Sequence, residues 1–275
     1  ADKKLYALRD VTATVDAVPL IASSIMSKKL AGGARTVVLD VKWGSGAFMR
    51  TVEEARTLAA ELVRIGEGAG RRTRALLSPM REPLGRAVGN ALEVREAIET
   101  LRGDGPDDLW RLTLELGAHQ LVLAGLAASV EEGHATLTRL RDDGTGARKL
   151  EELIEAQGGD PRVVADPGVM AAAPHVVPLP APADGWVAAA DAREIGIAAL
   201  ELGAGRRVKT DPVDPAVGVM VRARIGDHVQ AGQPLADIHA RDHASAARAA
   251  DRLREAFRVS PDAVPVPDPG YEIVG

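Results

Sequence analysis

Arg9, Ser24 and Lys28 are the side chains whose types and spacing could do chemistry, because they stand in otherwise apolar or small-residue surroundings between Lys4 and Leu30. A guanidinium offers a rigid fork of donors, an ammonium a compact cation, and a hydroxyl both a donor and an acceptor. Together they suit one small, flat, polar ligand. Pro19 is placed to begin a helix, since a first-turn residue needs no N–H. In that helix Ile21, Ser24, Ile25 and Lys28 share one face, at i, i+3, i+4 and i+7. A wholly buried face would be apolar throughout, so this one is expected to meet a ligand as well as a core. Each residue also has a plainer reading. Arg9 beside Asp10 is equally a local ion pair, Ser24 a packing serine, and Lys28 beside Lys29 a solvated pair.

Other stretches show what must position these groups. Arg35 to Lys42, with its β-branched run, predicts a strand of a parallel sheet buried on both faces. It leads into Gly44-Ser45-Gly46, a loop at the strand end where open α/β sheets bind ligands, whose backbone N–H groups can cradle an anion. Asp40 and Lys42, two apart on that strand, form either a structural bridge or part of a site. Thr51-Val52-Glu53-Glu54 fits a capping box, and the helix it opens is expected to stop at Gly66. Thr73 to Leu77 completes a βαβ unit. A further helix is expected over about Ala87 to Leu101, closed by Gly103. Asp107 or Asp108 is placed to cap the next, with Leu109, Leu112 and Leu116 on one face.

The chain therefore reads as α/β: a helical lead-in and a parallel-sheet domain over 1–157, a Gly/Pro/Ala-rich linker with some extended structure over 158–183, and a small β-rich α+β domain over 184–275. A helix is expected near Ser245 to Phe257. Gly226 to Leu235 resembles the hairpin of biotinyl/lipoyl-type barrel-sandwich domains, but no lysine sits on a tight turn to carry a swinging arm. Leu202 to Arg206 reads as a tight turn between strands.

Bulk properties exclude several classes. With 275 residues, 46% hydrophobic and 27% charged, the composition is that of a globular protein. A net charge of −5 and 3% aromatic content argue against nucleic acid and anionic membrane as partners. The absence of cysteine removes disulfides, thiolate metal sites and thiol nucleophiles, and fits a cytoplasmic setting. No apolar run approaches a membrane span. The six histidines are scattered without metal spacing, and no P-loop, G-x-S-x-G or strand-following G-x-G-x-x-G is present.

The opening segment, with TVVLDVKWGSGAFM (Thr36 to Met49), PLGRAVGNALEVREAIETLRG (Pro83 to Gly103) and LGAGR (Leu202 to Arg206), resembles the pyrimidine nucleoside phosphorylases, the group that includes thymidine phosphorylase. The resemblance covers nearly the whole chain. It implies phosphorolysis of thymidine, uridine and deoxyuridine to free base and (deoxy)ribose 1-phosphate. Arg9, Ser24 and Lys28 would read the pyrimidine edge, and Tyr6, Ile21 and Ile25 would wall the base pocket. Phosphate would be the co-substrate, with no organic cofactor. A monovalent cation such as potassium, or calcium, would be held by the Leu84 and Ala87 carbonyls and the Glu96 carboxylate; the plainer reading of Glu96 is a helix-surface carboxylate near Arg95. A C-terminal domain of hammerhead-like architecture and a homodimer are also implied.

The resemblance further implies an N-terminal region with a glycine- and serine-rich phosphate loop that supplies a lysine. The chain is accordingly read as the later part of a longer polypeptide, nearly inactive alone. The alternatives are a strict thymidine phosphorylase, a phosphoribosyltransferase of the anthranilate type, whose family lacks the C-terminal β domain, and a non-catalytic base-binding fragment. Two departures from the family pattern stand out. Ser78-Pro79-Met80 replaces a Thr-Asp-Met run, which puts a local polar network in doubt. Trp43 replaces a small aliphatic residue before the glycine loop.

Overall fold

The computed structural model describes residues 17–206, 208 and 210–275. They divide into two compact units. The first takes the described residues up to Met80, Thr113–Leu137 and Pro269–Gly275; the second takes Arg81–Leu112 and Thr138–Asp268.

The first unit is built on α1 (Val18–Ala31), β1 (Thr36–Trp43), α2 (Val52–Gly68) and β2 (Arg72–Pro79). α1 begins with Pro19 in its first turn, as expected. β1 and β2 pair in parallel from Thr36↔Arg72 to Trp43↔Pro79, and α2 makes the crossover. The capping box of α2 is formed in full: Glu54 N–H donates to Thr51 Oγ1, and the Thr51 N–H to Glu54 Oε2, each at 3.2 Å. A third strand, β10 (Glu272–Val274), adds antiparallel to β2.

Val37, Leu39 and Val41 of β1 bury one face of this sheet against α1 (Ala22, Met26) and α2 (Leu58, Leu62). The strand is not buried on both faces. Its alternate residues Val38 and Lys42 are only half-buried and Asp40 is exposed, because the second face carries polar side chains. Gly66 does not end α2, which continues to Gly68. Its role is packing: a Cβ there would stand 2.0 Å from Thr73 Oγ1 on β2.

The second unit begins with β3 (Ala87–Val88) and α3 (Asn90–Arg102). The expected start of α3 at Ala87 is therefore corrected. Ala87 and Val88 pair with Met220 and Val219 of β6 (Gly218–Val221), and Gly89 at φ 146° makes the bend between strand and helix. Gly103, at φ 92°, closes the helix in the left-handed region as expected. α4 (Asp107–Ala124) and α5 (Val130–Asp142) follow along the chain, with residues 113–137 belonging to the first unit, and α6 (Thr145–Ala156) belongs to the second. Within 158–183 lie the one-turn α7 (Arg162–Ala165) and β4 (His175–Pro180).

The remaining elements are β5 (Gly185–Ala190), α8 (Ala192–Ala199), β6, β7 (His228–Val229), β8 (Pro234–Ala240), α9 (His243–Ala256) and β9 (Phe257–Ser260). Two antiparallel sheets, ordered β3-β6-β8-β4 and β7-β5-β9, share a core with α8 and α9. Val187, Ile195, Val219, Ile238 and Leu253 are fully buried in it, each worth roughly 1.5–3 kcal/mol. The stretch Gly226–Leu235 is not a hairpin: β7 pairs with β5, and β8 with β6 and β4, so the turn at Gln230–Gln233 carries the chain from one sheet to the other. Leu202–Arg206 is not a turn between strands. A π-helical turn, Leu200–Ala204, follows α8 directly, with Gly203 at φ 112°, and Gly205 and Arg206 lie beyond it.

Among the described residues, no helix is long and apolar enough to cross a membrane.

Candidate functional site

α1 brings Ser24 and Lys28 together. Lys28 Nζ donates to Ser24 Oγ at 3.0 Å and to the Ser24 carbonyl at 2.9 Å. Ser24 is half-buried and Lys28 exposed. Ile21 and Ile25 are half-buried against the core that holds Ala22 and Met26, so they border both that core and the polar pair. Arg9 and Tyr6 lie outside the described residues.

The Gly44–Met49 loop returns to the same core through Met49. Its glycine N–H groups are already used: Gly44 N–H donates to Met49 O and Gly46 N–H to Met80 O, both at 2.9 Å, and Ala47 N–H donates to Gly44 O at 3.1 Å. The loop is therefore braced by backbone bonds within itself and to Met80, and does not present these donors to an anion. It displays Phe48, whose exposure of 73% is high for so apolar a residue. An aromatic side chain in a glycine-rich loop is the sequence signal that marks it.

On the other face of the sheet, Asp40, Lys42 and Ser78 form a closed network. Lys42 Nζ donates to Ser78 Oγ at 2.8 Å and lies 2.8 Å from Asp40 Oδ2, and Ser78 Oγ donates to Asp40 Oδ1. This network is centred on Ser78, which is 1% exposed, and not on Pro79, the position of the replaced aspartate. Lys42 and Ser78 are register partners at the C-terminal ends of the two parallel strands.

The segment Pro83–Ala87 is built wholly from the second unit. Glu96 is not a helix-surface carboxylate: it is 6% exposed. Its Oε1 accepts from Arg86 N–H at 2.8 Å and Ala87 N–H at 3.0 Å. Burial pushes the Glu96 carboxyl above its ordinary range, against the opposing pull of those two N–H groups; the charges of Asp108 and Glu99 add to the rise. Asp108 lies in the first turn of α4, where a cap was expected. Its Oδ2 instead accepts from Gly85 N–H at 3.0 Å and from Arg224 Nη1 at 2.6 Å.

These residues fit a hard, oxygen-ligated cation. Val221 N–H donates to Arg86 O, and Ala87 sits opposite Met220. Antiparallel pairing then turns the Ala87 N–H and C=O together away from β6, toward the side where its N–H meets Glu96. Gly85, at φ 69°, leaves space beside the other carboxylate oxygen, since a Cβ there would lie 2.2 Å from Glu96 Oε2. Among the described residues, no group of three or more His, Cys, Asp or Glu is placed to hold a metal ion; a set of backbone carbonyls with one carboxylate is a different kind of site.

Two family models match the chain: one described as the glycosyl transferase family, a/b domain, over residues 1–147, and one as the pyrimidine nucleoside phosphorylase C-terminal domain, over residues 186–260. The chain belongs to the glycosyl transferase family that the first describes, and it carries the C-terminal domain that the second describes. It is 52% identical over 240 residues to the pyrimidine-nucleoside phosphorylase of Bacillus subtilis (strain 168), covering 87% of this chain and 55% of that protein. It is 51% identical over 239 residues to the pyrimidine-nucleoside phosphorylase of Staphylococcus aureus (strain USA300), with the same shares. The chain thus spans about half the length of the curated relatives it matches.

Proposed function

We propose that the protein to which this chain belongs phosphorolyses pyrimidine nucleosides: thymidine, uridine and deoxyuridine. The observation that carries this reading is the 52% identity to a pyrimidine-nucleoside phosphorylase over 87% of the chain. The joined Ser24–Lys28 pair on α1 supports it.

A phosphate oxygen attacks the sugar C1′ as the C1′–N1 bond breaks. The bonding pair leaves with the base, and its negative charge spreads to the ring carbonyl oxygens. Donors preorganised at that edge stabilise the charge as it develops. Lys28 and Arg9 supply cationic N–H groups there. Ser24 Oγ accepts from Lys28 and keeps its own O–H to donate to the ring. Ile21, Ile25 and Tyr6 form the apolar wall. Phosphate is a substrate of this reaction, and no organic cofactor takes part.

The Leu84 and Ala87 carbonyls and Glu96 would hold a potassium or calcium ion, which would supply fixed positive charge that neutralises the buried carboxylate. The protein works in the cytoplasm in nucleoside salvage, as a homodimer. The C-terminal domain match weighs against a phosphoribosyltransferase of the anthranilate type.

Full-length protein incubated with phosphate and each nucleoside tests the reading. Phosphate-dependent release of both thymine and uracil is expected, with little release by residues 1–275 alone. Release of thymine only would mark a strict thymidine phosphorylase. No phosphate-dependent release of either base by the full-length protein would overturn the assignment.

A further inference from the structure

We infer that Arg224 is a positioning residue that shapes the Pro83–Ala87 segment into a cation site. The inference rests on the proposed binding of a hard cation by Leu84, Ala87 and Glu96. Arg224 Nη2 donates to the Pro83 carbonyl at 3.2 Å, and Nη1 to the Gly85 carbonyl at 3.0 Å. The Leu84 carbonyl between them takes no hydrogen bond among the described residues. One guanidinium thus uses the carbonyls on either side of Leu84 and leaves that of Leu84 for an ion.

The same guanidinium is itself held by carboxylates. Nη2 lies 3.1 Å from Glu82 Oε1, and Nη1 lies 2.6 Å from Asp108 Oδ2. Glu82 Oε2 also accepts from Ile225 N–H at 3.1 Å, and Asp108 Oδ2 from Gly85 N–H at 3.0 Å. The segment is therefore pinned from outside by Arg224, Glu82 and Asp108, and from inside by Glu96. With Arg224 already paired to Glu82 and Asp108, the buried Glu96 carboxylate has no cationic partner of its own among these contacts, and its Oε2 faces the space that Gly85 leaves beside it. A bound cation would offset that charge. A lysine cannot reproduce the arrangement, because a single ammonium lacks the planar fork that reaches two carbonyls and two carboxylates at once.

The test is thermal melting of the full-length protein in choline chloride, with potassium chloride or calcium chloride titrated against it at constant ionic strength. A ligand that binds only the folded state raises the melting temperature in a saturable way. The wild type is expected to show such a rise in one of the two salts, and Glu96→Gln to abolish it. Arg224→Lys is expected to raise the half-maximal cation concentration at least tenfold, beyond any loss of stability in choline alone. Asp108→Asn, which keeps the guanidinium but removes one of its anchors, should shift it the same way by a smaller factor and serves if Arg224→Lys does not fold. If either variant melts lower in choline yet keeps the wild-type half-maximal concentration, Arg224 is structural only and the inference is overturned while the cation reading stands. If the wild type responds to neither salt, the cation reading itself fails and the inference falls with it.

Discussion

Lys28 Nζ sits 3.0 Å from the Ser24 hydroxyl, one turn back along α1. Because an ammonium only donates, the hydroxyl is the acceptor in this contact and its own proton points elsewhere. The two side chains therefore act as one unit. In the full-length protein, Lys28→Met should lower kcat/KM for thymidine phosphorolysis by about 100-fold, the scale of losing one donor at a developing anion. Ser24→Ala should cost less, roughly five- to tenfold. Since Ser24→Ala removes the hydroxyl acceptor of the Lys28 ammonium, the double variant should lose less than the product of the two single losses. Strictly multiplicative losses in that cycle would show that the pair does not work as a unit.

Gly66 and Thr73 meet where α2 crosses β2. A methyl group at residue 66 would overlap Thr73 Oγ1 at 2.0 Å and Thr73 Cβ at 2.8 Å, and Thr73 is buried in a strand that cannot retreat. Gly66→Ala should destabilise the fold by about 1–3 kcal/mol, the usual cost of overpacking, despite alanine's better helix propensity. Adding Thr73→Ala, which removes the colliding hydroxyl, should restore part of the loss. Denaturant unfolding of the single and double variants measures both effects; a Gly66→Ala protein as stable as the parent would contradict the packing role.

How much of this was legible in the sequence follows from how local each feature is. The capping box at Thr51 and Glu54 needs only residues three apart, and it formed as read. The parallel pairing of β1 and β2 follows from an apolar run, a helix and a second run at crossover spacing. The fate of Gly66 was not legible, because a glycine near a helix end looks the same whether it stops the helix or admits a neighbouring strand. β3 was hidden for a different reason. Two residues make a strand only because Val219 and Met220, far along the chain, pair with them. That same pairing folds Arg86 and Ala87 back over Glu96 and buries a carboxylate whose neighbours in sequence suggest a surface helix. Asp40 and Lys42 were visible as a pair, but Ser78 joins them only through strand register.

His119, on the part of α4 within the first unit, makes a further prediction from charge. It is buried, and its Nδ1 lies 2.8 Å from Arg74 Nη1. The guanidinium can only donate, so Nδ1 must be the bare acceptor and Nε2 carries the proton, directed at Glu115 Oε1 at 3.2 Å. Glu115 Oε2 in turn lies 3.0 Å from His134 Nε2 on α5. Burial, with the Arg74 charge second, holds the His119 imidazole below its ordinary range, against the raising pull of Glu115. The folded state thus binds a proton less readily than the unfolded chain. The neutral ring's contribution to stability is complete above the ordinary histidine range, near pH 6.5, and is lost as pH falls through that value toward the lower folded-state pKa. His119→Gln, which keeps an acceptor for Arg74 and a donor for Glu115 but does not titrate, should flatten part of the fall in melting temperature between about pH 7 and pH 5. The wild-type and variant curves should converge in slope above pH 7. Parallel curves across the whole range would show that His119 carries no proton linkage to folding.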